Sequence, residues 1–549
     1  MTKYSFQFLI VLIAALTLQS CGYYFSNTWK VKPDKHYSAD GVASKERQMP
    51  NYANHFIINH WANQPIPDWH SEGKVSAPRV MIAKLMKGNA NNEVNEYLLG
   101  KTPWGKNGTD WALNKHGDYD FSEVPLQWIL QLYGNDRDKL TAPAYDNLLN
   151  HLLTHSGNKP HQVTPGSLGM MRETENHILM GETSRYLKNQ WLHEHGDTSW
   201  LYDNERNGLN AWWMALLNQK LEKGFFEFNA DPYSGYSITA LLTFHTFCHS
   251  AQVKAKCTAV LDEVMLKYAY GSLELKRYPP FRRRYERVKR RTFTSDPISD
   301  IVKMLLSKEM QVDASVQPTR HHYHHCLIAL LSDYRIPEAT AHLMLHKKEN
   351  YLVQYGHGKR APGEIYSGGE KFLIGAGGSM FTMLSQQAPR PITLFLNDGV
   401  QNIDSCFHID GKGKRPNWKM TGVFRNFGVA AHPVSIPEQY AAKDSSGYWK
   451  IFEPYTNDQT FHVLTYSTKK TGLIYVVDND NLSAQMRLQQ TIEQNKKQKQ
   501  KQNKTFVYTN GDVLDYNLCA PKTKWIIQSV NGKKMDRRFV KWSARVKQM

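Results

Sequence analysis

The chain has 549 residues, enough to bury a sizeable core and to hold two folded domains, which excludes a peptide or a simple adaptor. Lysine and arginine number 68 against 50 aspartate and glutamate, a net charge of +18 that favours polyanionic partners. Part of the excess sits in two runs. "FRRRYERVKRR" (281–291) reads equally as a polyanion-binding face or a solvated helix, and "NKKQKQKQNK" (495–504) reads as solvated.

In chain order, the opening "MTKYSFQFLIVLIAALTLQSCGYYFSN" has a basic Lys3 and a mainly apolar run from Phe6 to Leu18. That run is too short and too weakly flanked for a spanning helix and matches a secretory signal. "LQSC" resembles the lipobox of bacterial lipoproteins, which implies a signal over residues 1–21 and lipidation, of the palmitate type, at Cys21. Gly22 after the Cys resembles the sorting pattern for the outer membrane, on its periplasmic or cell-surface face. No later segment has about eighteen uninterrupted apolar residues. For an exported chain, nucleic acid is not an expected partner; acidic polysaccharide, with a membrane reached through the N-terminal lipid, is. The cysteines beyond Cys21 are Cys248, Cys257, Cys326, Cys406 and Cys519, an odd number that excludes complete internal pairing. Cys248 and Cys257 are the only close pair, and whether they bond stays open.

Residues 22–75 lack a steady period and read as a tether and irregular lead-in. Over 76–364 the period is helical. "VPLQWILQLY" (124–133), "YDNLLNHLLTH" (145–155), "NGLNAWWMALLNQKLEK" (207–223), "SITALLTFHTFCH" (237–249) and "PISDIVKMLLSK" (297–308) place apolar residues three and four apart. Over 365–549 come short β-branched and aromatic runs, among them "PITLFL" (391–396), "TGVFRNFGVAAH" (421–432), "FHVLTY" (461–466) and "GLIYVVD" (472–478). Turn signals Asn510-Gly511-Asp512 and Asn531-Gly532 predict hairpins, and seven or more strands predict an antiparallel sandwich. The Gln/Lys tract at 484–504 reads as an exposed helix or disordered insertion. "YSGGEKFLIGAGGSM" (366–380) reads as tight turns at a domain junction, since it lacks the phosphate-loop ending.

"RETENHILMGETSRYLKNQ" (172–190) reads as one amphipathic helix beginning near Thr174. Asn176 heads one stripe, and His177 heads the neighbouring one, where Gly181 and Ser184 would leave open volume beside the imidazole. A helix N-terminus favours negative charge, so an acidic ligand could meet amide, imidazole and backbone field together. "KGFFEFNADPYSGYSITALL" (223–242) reads as a structured loop that offers Glu227, Asn229, Tyr233 and Tyr236 among aromatics. A tyrosine there could donate or accept one proton.

"TENHILMGETSRYL" followed by "GFFEFNADPYSGYS" resembles the α/α-toroid polysaccharide lyases, including alginate, chondroitin and heparin lyases. The resemblance implies a helical toroid followed by a β-sandwich, and cleavage of a uronate-containing polysaccharide by β-elimination without a cofactor. It further implies that Asn176 neutralises the uronate carboxylate, that His177 holds the substrate or acts as base, and that Tyr233 or Tyr236 transfers a proton. Glu175, Glu227 and Asn229 join as substrate-binding candidates. Arg172 and Arg320 are candidates for the arginine that the family adds at the cleft.

Other readings stand beside this one. The same fold could serve a noncatalytic glycan-binding or envelope lipoprotein, and glycoside hydrolysis would need two carboxyls, for which Glu175 and Glu227 are available. Asn176-His177 could equally be a hydrogen-bonded structural pair, and Glu227 or Asn229 could cap the next helix. In "RHHYHHC" (320–326), His321 and His325 are an i, i+4 pair within reach of Zn²⁺, but they lack the Glu of the HExxH pattern, and the expectation is no metal.

Overall fold

The computed structural model describes residues 31–38, 51–70, 75–105, 116–165, 173–280, 293, 296–308, 318–347, 349–357, 363–377, 392–396, 402–409, 421–454, 461–478, 482–496, 503–518, 525–537, 542 and 545–548. The predicted signal with Cys21, Arg172, the run 281–291 and Cys519 lie outside the described residues.

Helices come first: α1 (Phe56–Ala62), α2 (Ser76–Lys87), α3 (Asn91–Leu98), α4 (Asp120–Tyr133) and α5 (Ala142–Asn147), with a π-helical turn at Leu148–Leu152. Next are α6 (Glu175–Glu194), α7 (Leu209–Lys223), α8 (Tyr233–Phe247), α9 (Ala251–Gly271) and α10 (Pro297–Ser307). A 3-10 turn (Arg320–His322) leads into α11 (Tyr323–Leu331), and α12 (Glu338–Leu345) follows. Strands then begin with β1 (Tyr351–Tyr355), β2 (Glu364–Gly368), β3 (Phe372–Gly377), β4 (Ile392–Leu396), β5 (His408–Ile409), β6 (Thr421–Phe424), β7 (Phe427–Ala430) and β8 (Val434–Ser435). After them come β9 (Asp444–Ser446), β10 (Trp449–Phe452), β11 (Phe461–Ser467), β12 (Gly472–Asp478) and helix α13 (Ala484–Asn495). The last strands are β13 (Asn503–Val507), β14 (Val513–Asn517), β15 (Ile527–Val530), β16 (Lys533–Lys534) and β17 (Arg545–Gln548). A helical part therefore precedes a part built of antiparallel sheets.

The chain divides into two compact units: residues 1–219, 232–261 and 300–335 form the first, and 220–231, 262–299 and 336–549 the second. In the first unit α6 packs against α4 and α8, and α8 against α11. The expected amphipathic pattern of α6 is not what is found, because the helix is buried on nearly every side from Glu175 to Trp191. Most of its polar side chains are met internally, as buried polar groups usually are. Gln127 Nε2 donates to Ser184 Oγ at 3.1 Å, Arg185 pairs with Glu182 at 2.9 Å, and Lys188 Nζ donates to the Leu153 carbonyl at 2.7 Å. α4 is apolar apart from Asp120, Ser122, Glu123 and Gln127 over its buried stretch, and Pro125 within it cannot donate to the carbonyl of Phe121.

In the second unit the sheets run in the orders β17-β1-β2-β3-β4-β5-β8, β6-β7-β12-β11-β10-β9 and β13-β14-β15-β16. Leu352, Ile374, Ile392, Phe427, Val463, Ile474, Phe506 and Ile527 belong to one continuous apolar core. Each such side chain contributes about 1.5–3 kcal/mol when fully buried. Sheet structure begins earlier than the composition change near 365 suggested: β1 starts at Tyr351, and the Gly-rich stretch supplies the end of β2 and the whole of β3. The period was hidden because both strands are buried on both faces apart from Phe372. The tract at 484–495 is also no exposed insertion. Leu488 and Thr491 are buried, and the Asn495 side chain exchanges bonds with the backbone of Val507, at 2.9 Å as acceptor and 3.0 Å as donor. The Asn531-Gly532 turn joins β15 to β16 with both residues at positive φ, as a tight hairpin requires. Cys248 and Cys257 are buried and free, so the close pair forms no disulfide.

Candidate functional site

In the first unit, Thr174 holds the extended N-cap conformation, which places Asn176 and His177 in the first turn of α6, where the backbone N–H groups point outward. Asn176 Oδ1 accepts from Thr174 Oγ1 at 2.9 Å. Asn176 is fully buried, and its Nδ2 has no hydrogen-bond partner among the described residues. A buried amide left so costs about 1–3 kcal/mol.

His177 keeps 18 % of its side chain exposed, and its Nδ1 lies 2.8 Å from Asp120 Oδ2 at the start of α4. Burial alone would lower its pKa, but the carboxylate of Asp120, with Glu173 and Asp118 behind it, outweighs burial and lifts the pKa to about 9. At neutral pH it is an imidazolium and can donate a proton, which disfavours the role of base. Burial also raises the Glu173 carboxyl above its ordinary value, against the pull of His177.

Phe121 connects this pair to α8. Its ring stands edge-on to His177, with centroids 5.4 Å apart, and edge-on to Tyr236 at 4.4 Å. Tyr236 also meets His325 at 4.7 Å and His324 at 5.6 Å. Burial, then Arg79 and the neighbouring imidazoles, push His324 well below the usual histidine range; burial, then those imidazoles and Arg79, do the same to His325, so both are neutral. Arg79 is itself buried and donates through Nε to the His324 carbonyl at 2.8 Å. Neither ring nitrogen of His325 has a hydrogen-bond partner among the described residues. That ring reaches α8 because residue 235 is glycine: a Cβ there would stand 2.5 Å from His325 Nε2.

Two sequence-based expectations are revised. Gly181 and Ser184 leave no open volume beside His177, because the His155 ring covers Gly181, whose missing Cβ would lie 3.1 Å from Nε2, and Gln127 engages Ser184. His155 is held there by Glu123, 2.5 Å from its Nδ1. Burial would raise the Glu123 carboxyl, but His155 and Thr154 bring it down to about 2. Tyr236 lies on a helix and not on a loop, because α8 begins at Tyr233 directly after Asp231-Pro232. The α8 N-cap is Pro232, which makes no side-chain cap bond.

Among the remaining candidates, Tyr233 is the first residue of α8 and half-buried, and Glu175 is buried in the first turn of α6. Arg320 is exposed and opens the turn before α11. Glu227 and Asn229 belong to the second unit, where both are buried. Asn229 Nδ2 donates to Glu364, and Lys267 lies 3.5 Å from its Oδ1, so its amide is committed to that unit's interior. His321 is exposed in the 3-10 turn while His325 is buried in α11, so the i, i+4 pair does not share a face. Among the described residues, no three His, Cys, Asp or Glu side chains are placed to hold a metal.

Asp120, Arg79, His324 and Glu173 were not singled out from the sequence. Asp120, Glu123 and Gln127 stand three and four apart in the mainly apolar "DFSEVPLQWILQLY", and Arg79 is set among apolar residues in "SAPRVMIAKLM", five positions before Lys84. Lone polar groups on an apolar helix face are the signal that could have found them.

No protein-family model matches the sequence, and no curated protein does. Among solved structures the chain is similar to the crystal structure of heparinase III, with 9% identity and a TM-score of 0.32, over 83% of this chain and 71% of that one. That likeness concerns fold alone and carries nothing about chemistry.

Proposed function

We propose that the first unit carries a lyase-like site acting on a uronate-containing polysaccharide by β-elimination. The observation that supports it most is the first turn of α6, where Asn176 Nδ2, without a hydrogen-bond partner among the described residues, adjoins the His177 ring. These groups suit a carboxylate, whose neutralisation acidifies the adjacent carbon-bound proton. Asn176 is fully buried, so a carboxylate would reach its amide only if the first turn of α6 and its neighbours moved apart. Tyr236, joined to His177 through Phe121, takes the proton-transfer role ahead of Tyr233. The closed toroid, lipidation at Cys21 and an outer-membrane location belong to the same reading, and their support is the sequence. A cleaved, lipidated protein would gain acyl mass at its new N-terminus; replacing Cys21 by Ser would remove it.

The test is incubation with alginate, hyaluronan, chondroitin, heparin and pectic polymers, followed by ultraviolet absorbance of unsaturated sugar ends. Absence of absorbance with every polymer across pH would refute the lyase reading. Binding without chemical change would favour the glycan-binding alternative. Glycoside hydrolysis gains one supporting observation, the burial-raised carboxyl of Glu173 beside Asp120, the type of pair a hydrolase divides into acid and base. Reducing ends without unsaturation would decide for it.

A further inference from the structure

At one end of the six-stranded sheet, two hairpin tips lie side by side. Gly447 and Tyr448 turn β9 into β10, with Gly447 at φ +59°, and residues 468–471 turn β11 into β12. The N–H of Ser467 donates to the Tyr448 carbonyl at 3.0 Å, so the two tips are bonded neighbours. Tyr448 is 64 % exposed, more than any other large apolar side chain among the described residues. Behind it, Tyr466 stands edge-on at 5.9 Å and Trp449 lies 5.1 Å from Tyr466, and both of these half-buried rings pack on the core. The exposed ring therefore rests on a fixed aromatic base.

The charge around this ring is mainly positive. Lys450, beside Trp449, and Lys469 and Lys470, on the adjoining tip, are exposed, and Lys504 reaches Thr471 Oγ1 at 3.5 Å. The carboxylate on the same hairpin, Asp444, accepts from the Ser445 N–H at 2.7 Å. Ser445 and Ser446 add exposed hydroxyls. A tip that inserts into a bilayer would display aliphatic side chains, whereas this one displays hydroxyls and ammonium groups around one ring. A single exposed ring also falls far short of the roughly 800 Å² per partner of a stable protein interface.

We propose that this end of the sheet is an accessory subsite for a strand of anionic polysaccharide. Tyr448 stacks on the face of a pyranose ring, and Lys450, Lys469 and Lys470 meet the carboxylates or sulfates of the chain. The proposal rests on the reading that the protein takes an acidic polysaccharide, and it assigns to the second unit a role in holding the polymer.

The test uses the full chain carrying Tyr448→Ala, Lys469→Ser and Lys470→Ser together, with Tyr448→Ala alone as a milder variant. Binding is measured on surfaces bearing the five acidic polymers, on dextran, and on phosphatidylcholine vesicles with and without phosphatidylglycerol. The triple variant should bind the polymer that the unaltered protein prefers about tenfold or more weakly. Tyr448→Ala alone should bind it a few-fold more weakly, and that loss should persist at high salt, where the lysine contribution fades. Unaltered far-ultraviolet circular dichroism would show that both variants fold. Both variants should still form product from a polymer at saturating concentration, because they leave the first unit untouched. If the unaltered protein cleaves a polymer and both variants bind it equally well, the accessory subsite falls alone. If the unaltered protein neither binds nor cleaves any acidic polymer, the substrate reading falls and takes the subsite with it. Tyr448-dependent binding to anionic vesicles in place of polymer would also overturn the proposal.

Discussion

Asp120→Asn tests the electrostatic basis of the site, because it keeps the side-chain shape and removes one negative charge. In the folded chain Asp120 is the foremost of the groups that lift His177 from 6.5 to about 9. That difference corresponds to roughly 3 kcal/mol of preference for the imidazolium. A pKa raised by folding contributes stability that is fully present below about 6.5 and is lost as pH rises through about 9. The substitution should therefore destabilise the protein by up to about 3 kcal/mol at pH 6, and by progressively less as pH approaches and passes 9. With Asp120 neutral, burial should bring His177 down toward or below its ordinary value, leaving it largely uncharged at pH 7.5. Titration of the His177 ring by NMR, assigned with His177→Gln, reads this directly, and thermal melts from pH 6 to 9.5 read its energetic counterpart. A His177 that titrates at or below pH 7 in the unaltered protein would refute the reasoning. So would one that titrates at the same pH with and without Asp120.

Tyr236→Phe should lower the rate of product formation by about 10²-fold or more, with Tyr233→Phe much milder; the reverse order, read from initial rates at saturating polymer, would move the proton-transfer role to Tyr233. Gly235→Ala should destabilise the first unit by about 1–3 kcal/mol, because the new Cβ meets the buried His325 ring, and a melting temperature equal to that of the unaltered chain would contradict the packing. Lys347, which is buried and donates to the Ser272 carbonyl, lines a cavity of about 870 Å³ with Tyr270, Leu273, Glu274, Tyr351 and Glu370. Burial lowers its pKa to about 7, so the unfolded chain holds this proton more readily than the folded one between pH 7 and 10.5, and stability there rises with pH. Lys347→Met should accordingly stabilise the protein by up to about 5 kcal/mol below pH 7 and by almost nothing near pH 10.5, and a gain independent of pH in thermal melts would point to packing alone.

The order of helices before strands was legible because hydrophobic periods of 3.6 and 2 differ, and most of α8, and β11 and β12, coincide with runs singled out for their composition and spacing. β2 and β3 were not legible, because a strand buried on both faces loses its alternation. α6 misled in the opposite direction. Its polar residues imitate a solvent face, yet each of Glu182, Ser184, Arg185, Lys188 and Asn189 meets a partner inside the unit. Asn176 and His177 stood out as adjacent polar groups heading a helix, whereas Asp120 and Arg79 are distant in sequence and reach the same cluster only through packing. Tyr233 and Tyr236, three residues apart, could not be ranked by spacing, and it is the ring contacts of Tyr236 that separate them.

His177 carries its charge by virtue of Asp120, and that dependence limits what it can offer a ligand. The imidazolium and the Asp120 carboxylate form a pair with no net charge, with Asp118 and Glu173 close enough to act on it. A uronate approaching this turn would gain little from the pair alone. What attracts it is the backbone field at the N-terminus of α6, together with the Asn176 amide. The state of Glu173 then matters more than its distance in sequence from the pair would suggest. Burial favours its neutral form, and in that form it adds no repulsion and can donate a proton. Once ionised, it would place a further negative charge beside the position that the uronate must occupy. On this account Glu173 disfavours an acidic sugar at this turn once it is ionised, and Glu173→Gln should bind an acidic polymer with less dependence on pH than the unaltered chain. His177, lifted to about 9, keeps its proton through the neutral range and adds no such dependence there.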